Sequence, residues 1–290
     1  MSAIANMTSY YAVGRHGQRL SPAECVRRLA ANGFTHIDMN LCGMADMNGL
    51  MTGDGWREEA EAAREAAEKA RAVFVQSHTP FYRGRVVDPA KEEYNAFFHR
   101  MMLRSAEINH ILGIPVTVLH PMHAQGFSRE DTEAQLAENR RFYGPLLDKL
   151  CEYGVCPAFE NMINPNLFGA TVSDQLAIIR AFDGYGAAAC WDFGHGHLRH
   201  VDQCWAIAQL KGIIRAVHIH DNFGKVDDHL LPFLGTVPWE LVMPALRDAG
   251  YTGDLVLEVK HTAMDDELRD LSTRWSGTVC TRLLTMFEEG

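Results

Sequence analysis

Histidine and acidic side chains end six consecutive apolar runs of this sequence, and these residue types bind zinc or manganese in proteins. Asp192 within Cys-Trp-Asp-Phe-Gly and Glu258 within Leu-Val-Leu-Glu-Val have apolar neighbours that predict burial. A buried carboxylate needs a cation or strong hydrogen-bond donors. The sequence therefore predicts a divalent-metal site. The candidate ligands, in chain order, are His78, His120, Glu160, Asp192, His195, His218, Asp227, His229 and Glu258.

The elements that must position these residues alternate along the chain. The candidate strands are residues 8–13, 35–41, 73–77, 115–119, 155–159, 187–191, 216–219 and 255–259. The candidate helices are residues 22–31, 57–71, 92–111, 132–153, 172–182, 202–210, 239–249 and 265–288. Apolar strands that alternate with amphipathic helices are typical of a parallel sheet covered on both faces.

Eight such units predict an α/β fold of the (β/α)8 TIM-barrel type. In this barrel the reactive residues lie where each strand ends and its loop begins, so one rim would gather the ligands. A doubly wound open sheet is the alternative, and it would favour a glycine-rich phosphate loop after the first strand. None occurs there, and no linker divides the 290 residues. We therefore expect one barrel domain over residues 1–290.

Composition narrows the function classes. The net charge of −10 disfavours a nucleic-acid partner, because such binding draws its affinity from Lys and Arg set against phosphates. The apolar runs are too short to span a membrane, and residues 1–15 lack the apolar core of a secretion signal. The seven cysteines include no Cys-x-x-Cys pair, which is typical of reduced cysteines in a cytoplasmic protein.

One segment carries a family resemblance. Residues 218–239 read His-Ile-His-Asp-Asn-Phe-Gly-Lys-Val-Asp-Asp-His-Leu-Leu-Pro-Phe-Leu-Gly-Thr-Val-Pro-Trp. This segment resembles one that is frequent in sugar phosphate isomerases and epimerases of the xylose isomerase-like barrel superfamily. Glu160-Asn161 and Asp192-x-x-His195 match the same group. The resemblance covers the C-terminal half well and the N-terminal half loosely, and it is specific for the superfamily rather than for a substrate.

The resemblance implies two nested ligand sets. In epimerase-type members, the residues matching Glu160, Asp192, His218 and Glu258 hold one metal. The two glutamates there also move protons, and the residue matching His195 contacts the substrate. The endonuclease IV nucleases of the superfamily bind three zinc ions through further ligands. Their counterparts here would be His78, His120, His195, Asp227 and His229, although residues 227–235 run longer before their glycine than in the nucleases.

The number of metal ions bears on the substrate. One divalent cation leaves one excess negative charge among three carboxylates, which suits a neutral sugar. Three cations leave two excess positive charges over four carboxylates, which would attract a phosphate or a phosphodiester. The resemblance and the ligand set therefore imply a divalent metal, zinc or manganese, at one to three ions per chain.

The leading hypothesis is a metal-dependent sugar or sugar-phosphate isomerase or epimerase that acts through a metal-stabilised enediolate, with Glu160 and Glu258 as base and acid. Beside His195, the candidate substrate-binding residues are Tyr82, Asn161 and Lys225. The alternatives are a three-zinc phosphoesterase of the endonuclease IV type and a non-catalytic metal-binding barrel. The expected partner is a small sugar or sugar phosphate, and a homo-oligomer is left open.

Overall fold

The computed structural model describes residues 2–12, 19–260 and 265–289. Eight parallel strands form one sheet in the order β7-β6-β5-β4-β3-β2-β1-β8. They are β1 Ile4–Met7, β2 His36–Asn40, β3 Val73–His78, β4 Val116–Leu119, β5 Cys156–Glu160, β6 Ala188–Asp192, β7 Ile214–His218 and β8 Leu255–Leu257. Just past β7, the Ile219 N–H donates to the Val256 carbonyl at 2.8 Å and the Glu258 N–H donates back to Ile219 at 3.0 Å. These bonds bring the two edges together, so the predicted eight-stranded barrel is confirmed.

Helices alternate with the strands. They are α1 Ser9–Ala12, α2 Pro22–Ala31, α3 Trp56–Ala70, α4 Glu92–Leu112, α5 Thr132–Glu152, α6 Val172–Ala181, α7 Phe193–Leu198, α8 Gln203–Gln209, α9 Trp239–Asp248 and α10 Asp266–Glu289. Short 3-10 turns occur at Cys42–Ala45, Arg83–Arg85 and Asp183–Tyr185. Local sequence sets several ends: the Ser21 side chain caps α2 ahead of Pro22, and Gly113 ends α4 with a left-handed φ of 67°. The eight predicted helices agree with the structure to within one residue at each end.

The first strand lies upstream of its predicted position, so that prediction was wrong. β1 spans Ile4–Met7, and residues 9–12 form α1 instead; Val13 lies outside the described residues. Tyr11, an aromatic residue that favoured a strand, is fully buried. Its hydroxyl lies 2.7 Å from both Asp270 and Thr273 of α10. This part of the chain packs against the last helix rather than entering the sheet.

Side chains inside the barrel follow the period of two that a strand imposes. A cluster of small apolar side chains, separate from the main core, fills the interior and is called here the barrel floor; it comprises Val116, Val118, Ala158, Cys190 and Ala216. Two residues further along their strands come His120, Glu160, Asp192 and His218. The alternation therefore directs these four side chains towards the barrel axis at its C-terminal rim.

The main apolar core lies between the strands and the surrounding helices, and Phe98, Leu147, Phe159 and Trp239 are almost fully buried in it. None of the helices within the described ranges is both long and apolar enough to cross a membrane.

Candidate metal centre

The strand ends of β5 to β8 place three carboxylates around one imidazole nitrogen. These four residues are called here the primary cluster; they are Glu160, Asp192, His218 and Glu258. The Nδ1 atom of His218 lies 2.9 Å from Glu160 Oε1 and 3.3 Å from Glu258 Oε2. It also lies 3.7 Å from Asp192 Oδ2. One nitrogen carries at most one proton and cannot satisfy three acceptors. A divalent cation fits the set, because donors about 2.1 Å from a shared tetrahedral zinc are about 3.4 Å apart.

Glu160 also belongs to a second cluster, formed with His78 and His120. Its Oε2 atom lies 2.8 Å from His120 Nε2 and 3.6 Å from His78 Nε2. The two imidazole nitrogens lie 3.0 Å from each other. One oxygen of Glu160 thus faces each cluster, as a bridging carboxylate would.

A third cluster lies at the ends of β6 and β7 and contains His195, Asp227 and His229. Asp227 Oδ2 lies 3.0 Å from His229 Nε2 and 3.8 Å from His195 Nε2. The three clusters together contain all nine predicted ligands.

Three of the histidines are held in one tautomer by the backbone. In each of them the Nδ1 atom faces a carbonyl oxygen, which can only accept a hydrogen bond, so Nδ1 carries a proton and Nε2 is the nitrogen left to bind a cation once its own proton is displaced. Metal-binding histidines in proteins are commonly oriented in this way. The bonds are His78 to Thr79 at 2.8 Å, His195 to Asn161 at 2.9 Å and His229 to Glu258 at 2.7 Å.

The pKa values reflect the mutual charges of the clusters. Burial lowers the pKa of His195, but Asp192 and Asp227 outweigh burial and raise this pKa to about 10. Burial raises the pKa of Glu160, yet His218 and His120 hold it well below its ordinary range. Protons on the imidazoles therefore balance the carboxylates. Cation binding would displace such protons, which couples metal affinity to pH.

A cavity of about 760 Å³ opens onto the clusters, and both Glu160 and Glu258 line it. Its size is in the range of small-molecule sites. Phe81 forms part of the wall and stacks on His120, with ring centroids 4.7 Å apart and planes inclined by 25°. The cavity thus offers three carboxylates, those of Glu160, Asp227 and Glu258, beside an aromatic face.

Comparison with known proteins identifies the group to which this barrel belongs. Residues 26–275 match the family described as xylose isomerase-like TIM barrel. The chain belongs to the xylose isomerase-like TIM barrel family. Over 160 residues it is 36% identical to y4fM, an uncharacterized protein of Sinorhizobium fredii, and the alignment covers 53% of this chain and 49% of that protein. The chain therefore spans about half the length of the curated relatives that it matches.

Solved structures of similar fold include sugar epimerases. A D-tagatose 3-epimerase-like protein has a TM-score of 0.76 and 20% identity, with 99% of this chain and 98% of that one covered. The IolI protein with a bound zinc atom has a TM-score of 0.71 and 14% identity, with 99% and 98% covered. At these identities the similarity shows the xylose isomerase-like fold alone.

In this member of the family, the predicted substrate-binding residues divide into two groups. His195 lines the cavity. Asn161 is buried, and its side chain bonds the backbone of Asp192. Tyr82 is buried too, and its hydroxyl donates to Asn95 at 2.8 Å. Lys225 is exposed on the loop after β7. The structure does not bring Asn161, Tyr82 or Lys225 to the cavity wall, and Phe81 lies there instead of Tyr82.

Arg85, in the loop after β3, is a cationic residue of the cavity wall that is nonetheless almost fully buried. It is only 6% exposed and lines the cavity. Its Nη1 atom donates to the carbonyls of Pro121 at 2.9 Å and Phe168 at 2.6 Å. Its Nη2 atom has no hydrogen-bond partner among the described residues. Burial lowers the pKa of Arg85 to about 10.

Sequence reasoning missed two further members of the site. His220 is fully buried, and its Nε2 atom lies 3.1 Å from Asp192 Oδ2. The signal was its position two residues after His218, since residues two apart share one face of a strand. Cys42 also lines the cavity, with Sγ 3.3 Å from His78 Nδ1. No pattern in the sequence singled out Cys42.

Proposed function

We propose that this protein is a metal-dependent sugar or sugar-phosphate isomerase or epimerase. The observation that carries the proposal is the primary cluster. Glu160 and Glu258 both approach His218 Nδ1, and both line the same cavity. An isomerisation or epimerisation through a carbon acid needs a base that removes a proton and an acid that returns one. Two carboxylates beside one cation site supply that pair.

The residues divide the work between binding and proton transfer. A divalent cation held by the primary cluster would offset the negative charge that develops on the substrate oxygens in an enediolate. Glu160 and Glu258 act as base and acid on the carbon between them. Asp192 and His218, both fully buried, hold the cation, and His195 contacts the substrate from the cavity wall. Phe81 excludes water from one side of the sugar.

The burial of Arg85 in the cavity wall supports the proposal that the substrate is phosphorylated. A buried guanidinium with an unused Nη2 donor is costly unless an anion accompanies it, and Arg binds phosphate oxygens well. The epimerases of similar fold include proteins described as acting on D-psicose and L-ribulose. We therefore propose ketoses and their phosphates as the substrate class to be screened.

The test is solvent proton exchange. The metal-loaded protein is incubated in D2O with a panel of ketoses and ketose phosphates, and deuterium incorporation is followed by NMR. We expect exchange into one class of compound, and its loss in Glu258→Gln. The exposed Glu240→Gln is the matched control. Exchange that persists in Glu258→Gln at the parental rate would overturn the mechanism. Absence of exchange into every panel member would overturn the isomerase proposal itself.

A three-zinc phosphoesterase is the second candidate, and one observation favours it. His78, His195 and His229 all direct Nε2 towards the second and third clusters, although the primary cluster alone would serve an epimerase. Cleavage of small phosphodiesters by the zinc-loaded protein, lost in both His78→Ala and His229→Ala, would favour this reading. No cleavage at full zinc occupancy would eliminate it.

A further inference from the structure

One face of helix α10 is rich in apolar side chains and yet open to solvent. Residues spaced three or four apart share a face of a helix, and on this face they are Leu271, Trp275, Val279, Arg282 and Met286. Leu271 and Trp275 are 49% and 48% exposed. The opposite face of the same helix is buried in the main apolar core. The helix therefore packs on the barrel with one apolar face and presents a second one outwards.

The loop after β7 extends this outward face into a groove. Phe233 and Leu234 of the loop are 39% and 47% exposed, and they line the groove together with Trp275, Val279 and Met286. These five side chains are called here the α10 groove. Single exposed apolar residues are ordinary on a protein surface, whereas a contiguous group of them marks an interaction site.

Phe233 has a strained backbone conformation. Its φ is 70°, a value that bulky side chains rarely adopt. The Phe233 N–H donates to Asp221 Oδ2 at 3.0 Å, and the same oxygen accepts from Trp239 Nε1 at 3.0 Å. Asp221 itself is fully buried, so the loop is anchored to the barrel at this point. Strain of this kind persists where the surrounding structure enforces it, and it is concentrated at functional positions.

Two opposite charges border the α10 groove. Glu240, in the first turn of α9, and Arg282, on α10, both line it. Both are exposed, and neither forms an ion pair with another of the described residues. A twofold contact places residue i of one copy against residue j of the other, and j against i. A groove that carries one acid and one base is therefore complementary to itself.

The area of this face is close to what a stable dimer needs. Helix α10 has 24 residues, so it is about 36 Å long at 1.5 Å per residue. A strip of that length and about two helix diameters wide covers roughly 700 Å². Stable interfaces bury about 800 Å² on each partner. Two α10 helices that cross a twofold axis in antiparallel directions would match in length.

We propose that the α10 groove is the twofold interface of a homodimer, in which Glu240 of each copy pairs with Arg282 of the other. Trp275 and Phe233 are the apolar centre of this contact, because large aromatic side chains contribute most to such interfaces. The loop that carries Phe233 also carries Asp227 and His229. The partner copy therefore covers part of the loop that holds two candidate metal ligands.

The test is the mass of the full chain in solution, measured by sedimentation velocity over a range of protein concentrations. We expect the parent to have the mass of two chains at micromolar concentrations. Trp275→Glu places a charge in the apolar contact twice in each dimer, so it should raise the dissociation constant by about 100-fold or more. Trp205→Glu is the matched control, because Trp205 is 54% exposed on α8 outside the groove and should leave the dimer intact.

Charge reversal tests the pairing itself. Glu240→Arg sets two arginines against each other at both ends of the contact, and Arg282→Glu does the same with two glutamates. Each single variant should weaken the dimer by about 10-fold. The double variant restores opposite charges and should return the dissociation constant to nearly the parental value. All four positions that these variants and the control change are exposed, so the fold of each chain should be unaffected.

Two results would overturn the proposal. A parent that has the mass of one chain at every concentration would leave the α10 groove to a different partner. A dimer that survives Trp275→Glu and both charge reversals would place the interface on another face. Neither result bears on the proposed function, which depends on proton exchange and Glu258.

Discussion

Asn161 uses both ends of its side-chain amide on the backbone of Asp192: its Oδ1 accepts from the Asp192 N–H at 2.7 Å and its Nδ2 donates to the Asp192 carbonyl at 3.0 Å. The Asn161 carbonyl in turn accepts from His195 Nδ1 at 2.9 Å. One residue after β5 therefore fixes the backbone of one candidate ligand and the tautomer of another. Donors held by such neighbours need little reorganisation when a metal binds.

Replacing Asn161 should weaken metal binding without removing a ligand. In Asn161→Ala the buried Asp192 N–H and C=O lose their partners, which costs about 1 to 3 kcal/mol for each unsatisfied group. We expect a lower melting temperature and metal affinity reduced by about 10- to 100-fold, measured by calorimetric titration of Mn²⁺ or Zn²⁺ into metal-free protein. The exposed Asn166→Ala is the control. Unchanged affinity would show that strand packing alone holds Asp192.

Arg85 should distinguish phosphorylated from neutral substrates. A hydrogen bond to a charged group contributes about 1.5 to 3 kcal/mol, so Arg85→Met should raise KM for a ketose phosphate by about 10- to 100-fold. KM for the unphosphorylated ketose should change little. Arg83→Met, an exposed neighbour paired with Asp46 at 2.7 Å, is the control on the same loop. Equal changes in KM for both substrates would assign Arg85 to loop packing.

Asp38 should make stability depend on pH. It is fully buried in β2, and its Oδ2 accepts from Gln76 Nε2 at 2.7 Å. Burial raises the pKa of this carboxyl to about 6, above the value of about 4 in an unfolded chain. Between those two values the folded state holds more protons than the unfolded state. The free energy of unfolding therefore falls as the pH rises towards 6, and the loss is complete above it.

Asp38→Asn removes this titration. At pH 7.5 we expect the variant to be more stable than the parent by up to about 2 to 3 kcal/mol, and at pH 4 to have no such advantage. Urea unfolding of the metal-free proteins at both pH values measures the difference. Asp183→Asn, at an exposed position, should show no pH-dependent difference. The same offset at both pH values would contradict the assignment to Asp38.

The sequence allowed much of this architecture to be predicted, because strands of a parallel barrel are buried on both faces and read as short apolar runs. A ligand such as Glu160 could be located for the same reason: it ends a run whose alternate residues, among them Ala158, fill the barrel floor. Helix ends such as the start of α2 at Ser21 and the end of α4 at Gly113 were located well because a capping serine and a glycine mark them.

The remaining features depend on tertiary packing more than on local sequence pattern. β1 was misplaced because Tyr11 has high strand propensity, yet its position is decided by α10, which lies at the far end of the chain. His220 was missed because its partners, Asp192 and His229, come from other segments. Tyr82 and Lys225 were predicted from loop position alone, and the direction of a loop side chain cannot be read from that.

The barrel floor bears on the route of the proton. Small apolar side chains such as Val118, Ala158 and Cys190 close the interior beneath the glutamates, so within the described residues the cavity mouth is the route from the glutamates to solvent. A sugar seated in that mouth stands between Glu160 and bulk water. Because Glu160 and Glu258 act as base and acid on the carbon, the proton that one of them takes is not the proton that the other delivers. Turnover in deuterated water would then place label in the product, while unreacted substrate would gain label only as fast as the base exchanges its proton through the cavity mouth. The ratio of the two labelling rates would report how tightly the substrate seals the cavity.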